Sequence, residues 1–415
     1  MTRIKPTTIL VPLALAAPLL CGTVRAADPA PAAAAAPTLA EAVSGGKAHL
    51  EFRYRLESVD QDPFADDALA STLRSRLNFQ TLDWHHLGAF VEVDNVTSLG
   101  NDSYNSTVNG VTDRPIVADP EYTEVNQAYL QLKLGSFTAI GGRQRIVLDN
   151  ARFVGNVGWR QNEQTYDAVT LKSAALPKTT LQYSYLANVN RVTGPDDGSQ
   201  PGDYDSESHL VNAKIDLGQA GALSVFDYAL DLRNAPALSS NTYGVHYAGT
   251  YAFTQTTKLN WIASYARQAD YADNPNDYTA DYYLLEAGLG FGKFGVKAGY
   301  EVLGGDTAPN HAFQTPLATL HVFQGWADKF LTTPAAGVED LYLGGSANFG
   351  ALALNLVWHD FSAEATNADY GTEWDASAGY KFAQRYEVLL KLADYRTDGF
   401  ATDTRKAWVQ FAATF

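Results

Sequence analysis

The chain has 415 residues, 46% of them hydrophobic, a single cysteine and a formal charge of −16. That length suits two or three ordinary domains or one large barrel. The acidic balance argues against a nucleic-acid partner, because nothing offsets phosphate repulsion. Beyond residue 26 no apolar run reaches the roughly 20 residues of a spanning helix.

Residues 1–26 read as a secretory signal. Arg3 and Lys5 supply the positive start, 9–20 the short apolar run, and Val24-Arg25-Ala26 a small-residue cleavage site. Cys21 invites a lipoprotein reading, but Leu20 stands where a small residue is needed. Cleavage after Ala26 removes the cysteine, and loss of Arg3, Lys5 and Arg25 takes the charge from −16 to −19. Residues 27–46 are Ala/Pro-rich, with a short helical piece at 39–43, and read as a periplasmic leader.

From Lys47 to Phe415 the chain alternates with period two. Leu50, Phe52, Tyr54 and Leu56 face one way, and Glu51, Arg53, Arg55 and Glu57 the other. Leu73, Leu77 and Phe79 oppose Arg74, Arg76, Asn78 and Gln80; Trp374, Ala376 and Tyr380 oppose Glu373, Asp375 and Lys381. Such alternation makes strands with one apolar and one polar face. Short connections fall near 83–86, 135–136, 174–177, 218–221, 254–256, 292–293, 350 and 383–384. Long polar segments fall at 60–68, 97–121, 149–163, 191–206, 233–239, 270–277, 305–337, 362–369 and 397–404. Eight short and nine long connections join eighteen strands, with both termini on the short side. The predicted fold is all-β: a transmembrane antiparallel barrel of about 18 strands with short periplasmic turns and long external loops. Tyr183, Tyr185, Trp261, Tyr265, Tyr283, Tyr300, Trp358 and Trp374 suit aromatic girdles. Val409, Phe411, Ala413 and Phe415 alternate to an aromatic last residue, which resembles the signal read by the barrel-assembly machinery. The expected location is the bacterial outer membrane, with lipid and lipopolysaccharide around the wall.

The most distinctive stretch is Gly141-Gly142-Arg143-Gln144-Arg145-Ile146, followed by Asp149-Asn150-Ala151-Arg152-Phe153-Val154-Gly155-Asn156-Val157-Gly158-Trp159-Arg160-Gln161-Asn162-Glu163 and Tyr166-Asp167-Ala168-Val169. With Leu39-Ala40-Glu41-Ala42, with Phe52-Arg53-Tyr54-Arg55-Leu56-Glu57 and with 323–330, it resembles the alginate-export family of outer-membrane proteins. The resemblance implies a monomeric eighteen-stranded barrel whose cation-lined pore passes an anionic uronate polymer.

Read from the residues, Arg143 and Arg145 share the polar face of strand five, and Arg53, Arg55, Arg74 and Arg76 that of strands one and two. Inside a barrel such rows line a channel, and guanidinium forks suit carboxylates. Glu51, Glu57, Glu92, Asp94, Glu286, Glu301, Glu373 and Asp375 supply facing acids, so the arginines equally suit wall-bracing salt bridges. Segment 149–163 adds Arg152, Trp159 and Arg160, and is expected to fold inward and narrow the lumen. Segment 305–337, with Phe313, Phe323, Trp326 and Phe330, is apolar enough to cover the external mouth; Phe323 and Trp326 suit either sugar stacking or a self-packed cluster. No zinc spacing, phosphate loop or nucleophile elbow occurs, no cofactor is implied, and the acidic loops 196–205 and 273–277 match no calcium loop. The function read from the sequence is a channel, not an enzyme, for a small anionic or saccharide solute. The alternatives are an outer-membrane enzyme such as a phospholipase, which needs Ser and His on the lipid-facing wall, or an adhesive barrel without transport.

Overall fold

The computed structural model describes residues 37–307 and 311–415. The expected signal segment lies outside them, as does the first part of the leader. Ahead of the first strand stands a short helix, α1 (Leu39–Ser44), closed by a reciprocal capping box between Thr38 and Glu41. Its Ala42 carbonyl accepts from the Leu82 N–H, pinning the helix to the rim.

The strands that follow are β1 (Lys47–Gln61), β2 (Ala68–Gln80), β3 (Leu87–Ser103), β4 (Tyr122–Leu134), β5 (Phe137–Gln144), β6 (Thr165–Ser173), β7 (Thr179–Asn190), β8 (Asp203–Asp216), β9 (Ala222–Leu230) and β10 (Ser240–Ala252). Next come β11 (Thr257–Asp270), β12 (Thr279–Phe291), β13 (Phe294–Leu303), the two-residue β14 (Gly305–Asp306) and β15 (His311–Ala312), then β16 (Val338–Phe349), β17 (Leu352–Ser362), β18 (Asp369–Phe382), β19 (Tyr386–Thr397) and β20 (Thr404–Thr414). β14 and β15 pair only with each other; the remaining strands form one 18-stranded antiparallel sheet. β13 pairs with β16, and β1 closes on β20 from Glu51↔Thr414 to Gln61↔Thr404. The strand number and the alternation of short and long connections match the reading from sequence.

Side-chain burial inverts the pattern of a soluble protein. On β18, Trp374 is 52% exposed while its neighbours Glu373 and Asp375 are at 0%. On β8, Ser206, Ser208 and Asn212 are buried and Val211 is exposed. Leu285, Leu343, Leu356, Leu390 and Leu392 likewise face out. An apolar outer wall around a polar interior is what hydrocarbon surroundings demand. Rings mark both edges of that wall. Phe291, Phe294 and Phe349 form one run of contacts at the short-turn end, and Phe382, Tyr386, Phe415 and Phe52 another. Tyr265 packs on Tyr283 at the other end. The terminal Phe415 exchanges backbone bonds with Leu50 at 2.8 and 3.1 Å, so the last residue helps fasten the seam.

Leu390 lies midway along the outer face of β19. Leu390→Arg is expected to cost about 2–4 kcal/mol when the protein folds into lipid vesicles, read as a shift in the urea midpoint of the heat-modifiable band. An equal cost for Ser346→Arg, on an inward position of β16 that lines open space, would contradict the assignment of faces.

Candidate channel constriction

The inner wall carries opposite charges on two adjoining stretches of strands. Arg53 and Arg55 on β1, Arg74 and Arg76 on β2, Lys391 on β19 and Lys406 on β20 make a basic side. Glu301 on β13, Asp340 on β16, and Glu373 and Asp375 on β18 make an acidic one. Both rows are buried, so each charge needs a partner within the protein.

Some partners stand on neighbouring strands, and the rest come from two connections that enter the lumen. The first is 145–164. β5 stops at Gln144 because the Arg145 N–H is taken by the Gln127 side-chain carbonyl at 3.0 Å instead of a strand neighbour, and the chain leaves the sheet. On the basic side, Arg53 donates to Gln161 Oε1 at 2.9 Å, to the Gly158 carbonyl at 3.0 Å and to the Arg160 carbonyl. Arg55 donates to the Trp159 carbonyl at 2.6 Å and to Gln410 at 2.8 Å, and lies 4.0 Å above the Trp159 ring. Arg74 pairs with Glu51 and reaches the Gln161 carbonyl at 3.4 Å. Arg76 binds Asp94 at 2.7 Å and also Glu163, which Arg145 clamps from its other side while pairing with Glu92. Burial alone would raise the Glu163 carboxyl, but Arg76 and then Arg145 outweigh it and hold the group well below the usual carboxylate range. Arg160 turns to Glu57 at 3.1 Å and to Asp328 at 3.3 Å.

The same connection reaches the far wall. Arg152 donates to Glu301 at 2.6 Å and to Thr315 at 3.1 Å. Phe153 packs among Phe226, Tyr282 and Phe313 at 5.1–5.9 Å. Asp149 accepts from Asn212 on β8 at 2.9 Å.

The second connection, 313–337, lies against the first. Val154 and Leu317 form a parallel bridge, the Gly155 N–H donates to the Leu317 carbonyl at 2.8 Å, and the Thr319 N–H to Ala151 at 3.0 Å. A Cβ at residue 155 would sit 2.1 Å from Thr319 Oγ1, so glycine lets the two backbones meet. The acidic wall takes the other edge: the Trp326 N–H donates to Asp375 at 3.1 Å, Ala327 N–H to Glu373 at 2.7 Å and the Gln324 amide to Glu301 at 3.0 Å. Phe330 fills a pocket of Phe361, Tyr370 and Phe400. Together the two connections form a septum across the lumen.

Seven of the eight arginines singled out from sequence therefore meet in one network, and one does not. Arg53, Arg55, Arg74, Arg76, Arg152 and Arg160 are buried, with Arg55 at 0%; they hold the septum to the wall. Arg145 keeps a 29% exposed side chain. Arg143 corrects the expectation that it shares Arg145's face. It stands opposite the exposed Ala128 and pairs with Asp167 at 2.7 Å on the outer surface, while Gln144 takes the inward position. Arg145 comes inside only because the chain has left the ladder by then. Phe323 caps Arg152 at 4.7 Å and Trp326 is buried, so the self-packed cluster is what these rings form. His246 and His359 are inner-wall residues, with His246 bonded to Ser264 at 2.8 Å and His359 to Asp340 at 2.9 Å. Neither stands on the lipid-facing side where a phospholipase would need it.

Several members of the network were not singled out. Asp119 accepts the Gln161 N–H at 2.7 Å, Gln161 donates to Thr72 Oγ1 at 2.9 Å, and Asp328 and His321 link the septum to Lys406 and Lys391. Gln161 and Asp328 lie inside the distinctive stretches, and Lys391 breaks an apolar run on β19. Below the septum, Arg145 and Lys172 share the lining of an 80 Å³ cleft with Gln127, Gln144 and Gln182. A wider space of 840 Å³ opens toward the short-turn end, walled by small inward residues such as Gly288, Gly295, Gly344, Ser346, Ser377 and Gly379.

Residues 47–191 match the family model described as alginate export. No curated protein matches the chain. Among solved structures, the chain is similar to OccAB2 of Acinetobacter baumannii, with a TM-score of 0.71 and 15% identity over 90% of this chain and 99% of that one. It is similar also to OccK3 (OpdO) of Pseudomonas aeruginosa, with a TM-score of 0.68, 14% identity and coverage of 91% and 97%. Pseudomonas aeruginosa OpdQ gives a TM-score of 0.67, 16% identity and coverage of 89% and 98%. At such identities these likenesses speak for the fold, which they share almost end to end. The chain is an eighteen-stranded β-barrel of the bacterial outer membrane, similar over residues 47–191 to the alginate-export family.

Proposed function

We propose that the protein is a porin-like outer-membrane channel for polar, chiefly anionic solutes, with uronate-type saccharides within that class. The observation that carries the reading is the cleft beneath the septum. Arg145 and Lys172 meet there among three glutamine side chains. Arg145 is shared with Glu92 and Glu163 but keeps a part-exposed side chain, and cations beside neutral amides attract a carboxylate and bond its oxygens. The buried arginines have a different task in this reading. Their donors go to septum carbonyls and carboxylates, so they fix the shape of the narrowing, and the solute meets Arg145 and Lys172. The reading assigns no chemical step to the chain and takes the barrel as a monomer.

Planar-bilayer recordings test it. Arg145→Ala combined with Lys172→Ala is expected to lower the preference for anions over cations several-fold, as a shift in reversal potential across a salt gradient. Arg143→Ala, on the outer surface, should leave that preference where it was. Wild-type protein that conducts cations and anions alike would refute the anionic part of the proposal.

A second outcome concerns the septum. Glu163→Gln removes the carboxylate that Arg76 and Arg145 share while Asp94 and Glu92 stay bonded to them, a loss below the roughly 3–5 kcal/mol of a buried charge left wholly unpaired. The variant should conduct more, with noisier open levels, than the wild type. Because the Glu163 carboxyl is depressed, its contribution is present above the ordinary carboxylate range and fades only as pH falls through the lowered value. Wild-type protein should therefore keep this clamp at pH 5, and protease protection of 145–164 at that pH measures it.

A further inference from the structure

Two basic groups touch inside the septum. The Lys391 ammonium on β19 donates to His321 Nε2 at 2.5 Å, and otherwise faces ring planes: Trp326 at 3.8 Å, Trp159 at 4.0 Å and Trp408 at 5.2 Å. His321 stacks on Trp159 with centroids 4.7 Å apart, and its Nδ1–H donates to Asp328 at 2.7 Å. Asp328 also takes Lys406 of β20 at 2.7 Å and Arg160 of the other inward connection at 3.3 Å. This fixes the imidazole's proton on Nδ1 and leaves Nε2 as the acceptor for Lys391. The aromatic box around the ammonium joins the wall, through Lys391 and Trp408, to both halves of the septum, through Trp159 and Trp326.

A second proton on His321 has no place here. It would set an imidazolium N–H against an ammonium at contact distance, in surroundings that screen poorly. We propose that the His321–Lys391 contact is an acid-released latch: proton uptake at His321 frees segment 313–337 from the inner wall and opens the lumen. The inference rests on the channel reading above for its consequence, though not for the release itself.

The sign follows from the latched geometry. Burial foremost, and then the Lys391 and Arg160 charges, hold the imidazole well below its ordinary value against the pull of Asp328. A base depressed in the latched state binds its proton on release. The latch is therefore at full strength above the ordinary histidine value of about 6.5 and weakens as pH falls below it. Between pH 7.5 and 5.5 the ratio of released to latched protein rises about tenfold. The other charged groups facing the site are Asp328, Lys391, Lys406 and Arg160, with Glu57 behind Arg160, Arg55 over Trp159, and Asp375 and Glu373 bonded to the N–H groups of Trp326 and Ala327. Protonation of Glu373 or Asp375 would loosen the same segment, so variants at His321 and Lys391 separate the contributions.

The full chain, refolded in lipid and checked as a barrel by its heat-modifiable migration, is examined at pH 7.5 and 5.5 by two measurements: open probability in planar bilayers, and iodide quenching of tryptophan fluorescence. Wild type is expected to show about a tenfold rise in open probability and a rise in quenching on acidification. His321→Gln keeps an acceptor that takes up no proton, and should be flat in both. Lys391→Met removes the like charge, so His321 can protonate beside Asp328 while latched, and acid should no longer release the segment. A wild type flat in quenching across this range, or a His321→Gln variant that follows the wild type, overturns the latch. Acid-dependent quenching with no conductance at either pH upholds the latch and sinks the channel reading instead.

Discussion

The pairing of β1 with β20 is the constraint on which the rest of the molecule depends. A sheet in hydrocarbon has no water to satisfy its edges, and an unpaired N–H or C=O there costs several kcal/mol. Closing the edge removes that cost and fixes the two faces of every strand at once. It makes the neighbours Glu373, Trp374 and Asp375 a buried acid, an exposed indole and another buried acid. It also places the last residue at the seam, where Phe415 exchanges backbone bonds with Leu50. The apolar wall and the polar interior follow from the closure and from period two alone.

A polar interior of this width creates its own difficulty. Charges brought out of water repay their desolvation only with good geometry and further hydrogen bonds. The basic and acidic walls adjoin only where β18 meets β19, so most of their charges have no opposite charge of the other wall beside them. The two inward connections supply the missing partners, and they do so as backbone as much as side chain: Gly158, Trp159, Arg160 and Gln161 offer carbonyls to the arginines, while Trp326 and Ala327 offer N–H groups to the acids. Main-chain donors and acceptors cannot rotate away, so the septum is positioned more tightly than by a ring of salt bridges. The cost is that removing one member leaves an uncompensated charge in a dry place.

Strand number, sidedness, girdles and the inward positions on β1 and β2 were legible in the sequence because each rests on a local pattern of period two. Arg143 and Arg145 were not separable that way. Two residues apart, they belong to one face of any ideal strand, and only the Gln127 side chain, 18 residues before Arg145 and adjacent in space, takes Arg145 out of the ladder. The partners of the arginines were beyond reach for a related reason. Arg53 with Gln161, and Arg152 with Glu301, are pairs brought together by closure of the whole barrel, and no local spacing encodes them. Lys391 is a milder case. Within Leu389-Leu390-Lys391-Leu392 it resembles a blemish in an apolar strand, until the alternation is carried through β19 and puts it inside.

The anchoring also bears on what can pass. Arg152 ties the first connection to the acidic wall, and Arg53, Arg55 and Arg76 tie it to the basic one, so it is held at both ends. The second is held differently. Its grip on the acidic wall is two N–H groups and an amide, its aromatic ring Phe330 sits near the external end, and its grip on the basic wall runs through Asp328 and the His321–Lys391 contact. A path wide enough for a polymer and a septum fixed on both walls exclude each other, so one anchor must yield for a large solute and none need yield for a small one. The connection able to yield is 313–337, because releasing 145–164 would strip at least four buried guanidinium groups of their partners at once. The size of the solute is thus set by which anchors hold, and the wall chemistry sets its charge.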